Sequence, residues 1–159
     1  VFDADFMPEK DWLLKVLPYF NDEKIGVVQT RWGHLNRNYS WLTKAQAFAL
    51  DYHFRIEQVG RSNAGHFLNF NGTAGIWRKT CIEDAENWSG DTLTEDLDLS
   101  YRAQLKGWKI HYLEHVVAPA ELPITVDAAH SQQFRWNKGG AENFQKNMLK
   151  IIKAKKLLL

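Results

Sequence analysis

Glu95, Asp96 and Asp98 crowd three carboxylates into four positions of the stretch "DTLTEDLDLSYRAQLKGW", residues 91–108. Like charges this close repel, so each needs a reason to be there. Thr92 and Glu95 fit a capping box, the hydroxyl on an orphan amide and the Glu reaching back. Negative charge is also favourable at the positive end of a helix. Asp98 and Arg102 stand i, i+4 apart, the spacing of a surface ion pair. Leu97, Tyr101, Leu105 and Trp108 supply the apolar stripe of a helix over 94–106 that stops at Gly107. Asp96 is left without a structural task, which marks it as a candidate functional residue.

Two further clusters carry chemistry. Asp3-Ala4-Asp5 places two carboxylates at i and i+2. At a strand end, both could reach one hard cation such as Mg²⁺ or Mn²⁺, although turn chemistry accounts for many such pairs. "SQQFRWNKGG" contains Arg135, a planar fork suited to phosphate oxygens, and Trp136, a flat face on which a sugar can stack. An amphipathic helix with a buried Trp is the competing explanation.

The elements that must position these residues follow from periodicity. "VFDAD" reads as a short strand ending at a site, and "PEKDWLLKVLPYF" as a helix burying Trp12, Leu13, Val16 and Leu17. "KIGVVQT" reads as a buried strand, so the first thirty residues have the βαβ pattern of a parallel sheet. "RWGHLNRNYS" reads as a polar loop, and 41–59 as a long helix. "GRSNAGHFLNFNGTAGIWRK" is rich in Gly and Asn and marks a tight turn beside a strand. "KIHYL" is another strand, and 125–155 is largely helical, with Gly139-Gly140 as the place where it could break.

Composition narrows the class. The chain has 159 residues, 45% hydrophobic and 25% charged, enough for one domain with a core. Its single cysteine, Cys81, excludes an internal disulfide and fits a reducing compartment. No apolar run approaches the ~18 residues of a membrane span, and nothing resembles a signal peptide. The net charge of +1 hides an asymmetry: residues 135–159 carry seven basic residues against Glu142, and the remainder 13 basic against 18 acidic. The basic, apolar end "NMLKIIKAKKLLL" suits an anionic membrane surface, or else a solvated helix with a core face. Nucleic acid is not an expected partner, because the body is acidic. His53, His111, His115 and His130 lack metal-ligand spacing, and no nucleophile elbow or phosphate-binding loop is present.

In combination and order, D-A-D (Asp3 to Asp5), T-E-D (Thr94, Glu95, Asp96) and Q-x-x-R-W (Gln132 to Trp136) resemble the markers of processive family 2 glycosyltransferases, the group of cellulose and hyaluronan synthases. "VQTRWGHLN", "DYHFRIEQ", "FNGTAGIWR" and "EDLDLSYRAQLKGWK" resemble the cellulose-synthase-like branch that makes β-mannan or glucomannan. The resemblance implies an α/β fold: part of a GT-A (Rossmann-like) domain, its sheet mostly parallel or mixed and flanked by helices. It implies Asp96 as general base, Asp3 and Asp5 as ligands of Mg²⁺ or Mn²⁺, and Glu95 as a cap or orienter. Arg135 would pair with the diphosphate, Trp136 would floor the acceptor sugar, and Gln132 would orient one of them. Phe70, Asn71, Gly72 and Thr73 would form the acceptor-end turn, Gly72 permitting close backbone approach.

The activity so implied is inverting transfer from UDP-glucose or GDP-mannose to a growing β-linked polysaccharide, at the cytoplasmic face of a membrane. Residues 1–159 would be the metal and acceptor side of the domain, with 140–159 a basic amphipathic interfacial helix. The nucleotide-binding half and the flanking membrane helices of that family are absent from this sequence. The chain alone is therefore expected to bind donor weakly at most and not to polymerise. Two rivals remain: a glycoside hydrolase, which also uses two carboxylates, and a non-catalytic carbohydrate-binding or membrane-docking module using its seven Trp.

Overall fold

β-branched residues at Ile25, Val27 and Val28 open a strand, β1 (Ile25–His34), that is covered on both faces. Val28 packs with Trp12, Val16, Leu113 and Val116 on one side, and Val27 with Phe54, Leu68, Phe70, Ile110 and Tyr112 on the other. In the computed structural model, which describes residues 1–154, β1 is the centre of a three-stranded sheet ordered β2-β1-β3. β2 (Gly75–Trp77) runs antiparallel to β1, and β3 (Lys109–Ala120) runs parallel to it. A register shift opposite Thr30 and Arg31 skips three residues of β3 and kinks the ladder there. The sheet is thus mixed and flanked by helices, as expected.

The strands outrun their sequence signals. β1 continues through Arg31–His34, which the polarity of "RWGHLNRNYS" assigns to a loop. Its parallel neighbour supplies ladder partners for all four. "VFDAD" is not a strand: Val1 shares main-chain hydrogen bonds with Gly75, Met7 donates to Pro119, and the residues between are irregular. Three-residue β2 offers no longer edge to pair with, so the expected βαβ unit does not form within the first thirty residues. α1 (Trp12–Val16) is a single turn followed by a 3₁₀ turn over Leu17–Asn21. Trp12 and Val16 are buried, while Leu13 and Leu17 face solvent.

One continuous helical rod covers 41–63: α2 (Trp41–Tyr52), a π turn (His53–Glu57) and α3 (Gln58–Asn63). Ser40 and Thr43 cap its start reciprocally. α4 (Lys79–Asp84) and α5 (Glu95–Leu105) pack through Cys81, Ala85, Leu99 and Ala103. α6 (Val126–Lys153) runs unbroken through Gly139-Gly140, its start capped by the Thr125 hydroxyl. The expected break is absent because Gly139 is a contact point: a Cβ there would lie 2.5 Å from Thr94 Cγ2. Residues 155–159, the end of the expected interfacial helix, lie outside the described residues.

Two expectations about α5 fail. Thr94, not Thr92, is the N-cap residue, and no side chain caps the helix, so the Thr92–Glu95 box does not form. Thr92 is instead turned toward α6, where Asn143 reaches its hydroxyl. Asp98 does bond Arg102, at 2.8 Å, but it is fully buried rather than a surface partner. α5 buries Asp98, Leu99, Ser100, Ala103 and Gln104, a face rotated from the predicted stripe, whose four members are only partly covered.

Candidate active site

The carboxyl ends of parallel β1 and β3 open into a cleft, the usual place for a ligand on such a sheet. Asn36 ties these ends together, its amide donating to Leu122 O and accepting from Leu122 N, both at 2.8 Å. The cleft, roughly 350 Å³, is bounded by residues 3–6, the end of β1, the turn at 71–72, the start of α5, residues 120–123 and α6. It gathers Asp3, Asp5, Asn71, Gly72, Glu95, Asp96, Gln132, Arg135 and Trp136 from four separate stretches. Of the sequence-selected residues, only Phe70 and Thr73 stay behind the wall, where both are buried.

Asp96 stands in the first turn of α5. Burial pushes its carboxyl up to about 6, with Glu95 and Asp3 adding to the rise, while the Leu97 amide favours the charged form. A carboxylate titrating near neutrality is suited to exchange a proton with a bound hydroxyl. Gly72 makes this proximity possible. Its φ of +79° suits glycine, and a Cβ there would come within 3.4 Å of Asp96 Oδ2.

Asp3 and Asp5 reach the cleft from the irregular segment, whose fixed points lie on either side. Asp3 N donates to Thr73 Oγ1 at 2.9 Å, and Met7 N to Pro119 O at 2.8 Å. The Asp3 carboxyl is raised by partial burial and by the charges of Asp5 and Glu95, although the terminal ammonium opposes them. Repulsion of this kind is what a cation relieves, so the pair fits a hard divalent ion. Among the described residues no three acidic, imidazole or thiol groups cluster as a complete metal site. Two carboxylates that leave positions for phosphate oxygens are how Mg²⁺ is commonly bound.

The turn at 70–73 is held by residues whose roles the sequence does not announce. Gln29, fully buried on β1, accepts from Asn71 N at 2.9 Å and donates to Thr73 O at 3.0 Å. Ser100 accepts from Phe70 N, and Gln104 exchanges two 2.8 Å bonds with the Leu68 backbone. His53 bridges Glu57 and Asn71, at 2.9 and 3.1 Å, from the π turn, a feature frequent at functional sites. These polar side chains sit inside strands and helices that read as ordinary. The one signal is an uncharged polar residue within a buried run, as in "VVQT".

From α6, Arg135 faces the cleft with no ion-pair partner among the described residues. Trp136 lies against Trp32, ring centres 6.1 Å apart. Beyond Asp96 and Trp136 lies a second, more apolar cavity of roughly 510 Å³, bordered by Ala49, Leu50, His53 and Phe54 of the rod. Of the other histidines, His34 at the end of β1 lines the cleft beside Asp51, whereas His111 stacks on Tyr19 away from it. Cys81 is buried, its thiol pushed up to about 12 and so inert as a nucleophile.

Acids, a guanidinium and an indole thus converge at the strand ends of an α/β domain. Residues 1–139 match the family described as "Glycosyltransferase like family 2", and the chain belongs to it. It is 46% identical over 158 residues to rice (Oryza sativa subsp. japonica) "Probable glucomannan 4-beta-mannosyltransferase 11", covering 99% of this chain and 28% of that protein. It is 44% identical over 158 residues to Arabidopsis thaliana glucomannan 4-beta-mannosyltransferase 2, covering 99% and 30%. The chain therefore spans under a third of the length of these relatives. A mannosyltransferase from Pyrobaculum calidifontis, solved with GDP-mannose and Mn²⁺, shares the fold: TM-score 0.69, 17% identity, 93% of this chain and 38% of that one. The domain is of the GT-A type.

Proposed function

We propose that this chain is the metal and acceptor side of the catalytic domain of an inverting hexosyltransferase that extends a β-linked mannan or glucomannan. The observation that carries it is one cleft holding a partly buried carboxylate raised to about 6, a second acidic pair, and a guanidinium without an ion-pair partner among the described residues, next to an indole. Asp96 accepts the proton of an acceptor hydroxyl as that oxygen attacks the anomeric carbon, and the sugar–diphosphate bond breaks on the opposite face. Trp136 supports the acceptor ring, Gln132 orients it, and Arg135 pairs with the departing diphosphate. Phe70, Asn71, Gly72 and Thr73 form the turn against which the acceptor end rests. Asp3 and Asp5 would hold Mg²⁺ or Mn²⁺, which when bound neutralises charge on the diphosphate. Glu95 adds to the field that draws the ion in.

GDP-mannose is the favoured donor, because the 42–46% identical relatives carry mannosyltransferase names and the fold neighbour was solved with that nucleotide sugar. UDP-glucose is the alternative. Membrane attachment is supported by two outward apolar faces, and the cytoplasmic side for the cleft follows from the family resemblance alone. Trp41, Phe48, Tyr52 and Ile56 line one side of the rod, and Phe134, Phe144, Leu149 and Ile152 one side of α6, all more than half exposed. No helix among the described residues is long and apolar enough to cross a bilayer.

The test uses membranes containing the complete gene product, supplied with Mn²⁺ or Mg²⁺ and either GDP-mannose or UDP-glucose. Polymer from one donor, lost in Asp96→Asn, is the expected result. Full activity of Asp96→Asn overturns the base. Release of free sugar from an oligosaccharide without nucleotide would favour a hydrolase.

A further inference from the structure

α6 turns its polar side inward. Gly139, Glu142, Asn143, Lys146 and Asn147 stand at i, i+3, i+4, i+7 and i+8, one face of the helix, and all contact or bond the 91–98 stretch. Asn143 and Asn147 are fully buried there. The Asn143 amide donates to Thr94 Oγ1 and Thr94 O, at 2.8 and 2.9 Å. The Asn147 amide donates to Asp98 Oδ1 at 2.9 Å and to Asn143 Oδ1 at 3.2 Å. Asp98 can only accept, so its partners must all be donors: Asn147, Arg102 and Lys146. They hold its carboxyl below the usual range against the opposing effect of burial.

We propose that this buried ladder, Asn143 on Thr94 and Asn147 on Asp98, is a positioning device that sets Asp96 in register with Arg135 and Trp136. The proposal rests on the assignment of those three residues to the transfer reaction. Thr94 and Asp98 flank Asp96 two residues to either side. Gly139 meets Thr94 one helical turn beyond Arg135. α5 is also the element against which α6 chiefly packs, so the placement of Arg135 and Trp136 is inherited from this contact. Stability alone does not explain the choice of residues. Asn147 Oδ1 is buried without a partner, a cost that cohesion alone would not select. What apolar contacts lack is direction: they allow a helix to slide or rotate, whereas buried amides fix one register, as Asn does in coiled coils. A misplacement of about 1 Å costs on the order of 10²-fold in rate.

The test compares wild-type complete gene product in membranes with Asn143→Leu/Asn147→Leu and with the milder Asn147→Leu, which leaves the Thr94 bonds in place. The measurements are kcat per folded molecule, KM for GDP-mannose and affinity for GDP. The expected result is a kcat at least ~10-fold lower in the double variant, with a smaller but measurable loss in the single, and any fall in GDP affinity, which also reads Arg135, smaller than the fall in kcat. Variants that bind GDP normally and keep kcat within twofold overturn the proposal. So does a loss of activity that tracks entirely with loss of folded protein. A wild type inactive with both donors instead removes the transferase assignment, and this inference with it.

Discussion

Two acidic pairs face one cleft and are held in opposite ways. Asp3 and Asp5 are exposed side chains on an irregular segment, tied down by backbone bonds to Thr73 and Pro119. Asp96 is set in a helix start, with Glu95 exposed beside it, and α5 is bonded on one flank to residues 68–70 and on the other to α6. Under the proposed function, the difference separates two tasks that one residue type can perform. A metal pair needs charge, open coordination positions and some freedom to adjust. A base needs a raised pKa and fixed geometry; Asp3 is raised too, but only Asp96 is also set in a braced element.

The comparison breaks most visibly at Asp96. Asp96→Asn should lower kcat by about 10²–10⁴-fold, the contribution of a general base, with KM for the donor little changed. Steady-state kinetics on the complete gene product would check it, and a loss under tenfold would put both pairs on the metal. Asp5→Asn should behave differently. Its loss, roughly 10-fold or more, should be recovered in part by raising Mn²⁺, as a metal titration of the rate would read. If added metal rescues Asp96→Asn as well, the division between the pairs fails.

Gly72→Ala sharpens the contrast from the side of the turn. The left-handed backbone costs about 1–2 kcal/mol for an L-residue, and the added carbon would lie in contact with Asp96 Oδ2. Melting temperature and kcat should therefore fall together. The smallest effect is on pH. Activity should rise with pH through a break near 6 as Asp96 ionises. Stability moves the other way. A carboxyl raised on folding contributes fully below its ordinary value of 3.8, and that contribution is lost as pH climbs toward about 6. Melts of wild type and Asp96→Asn at pH 4 and 7.5 should show the variant gaining at the higher pH, by no more than about 3 kcal/mol. Equal slopes would mean that Asp96 is not buried as described.

Much of the cleft was legible in advance because it is written in short motifs. D-A-D, T-E-D and Q-x-x-R-W name residues that converge, and the rod, α5, α6 and the start of β1 follow from periodicity. The failures have a common cause. Thr92 looked like a cap and Asp98 like a surface partner because local spacing assumes solvent on the polar side. Here that side is covered by α6, whose Asn143 lies 49 positions beyond Thr94. The same error hid Gln29, which serves a turn 42 positions away, and made Gly139-Gly140 look like a place where the helix could break, when Gly139 is where two elements come close.

By itself, the sequence determined which side chains are chemically able to act and which segments coil or extend, since both depend on residue type and on neighbours within a few positions. Tertiary structure alone decided which carboxylates are raised, which polar residues brace the turn, and that the apolar side of α6 faces outward. The reason is physical: desolvation and buried hydrogen bonds depend on what lies on the other side of a residue, and in this protein that neighbour comes from a distant part of the chain.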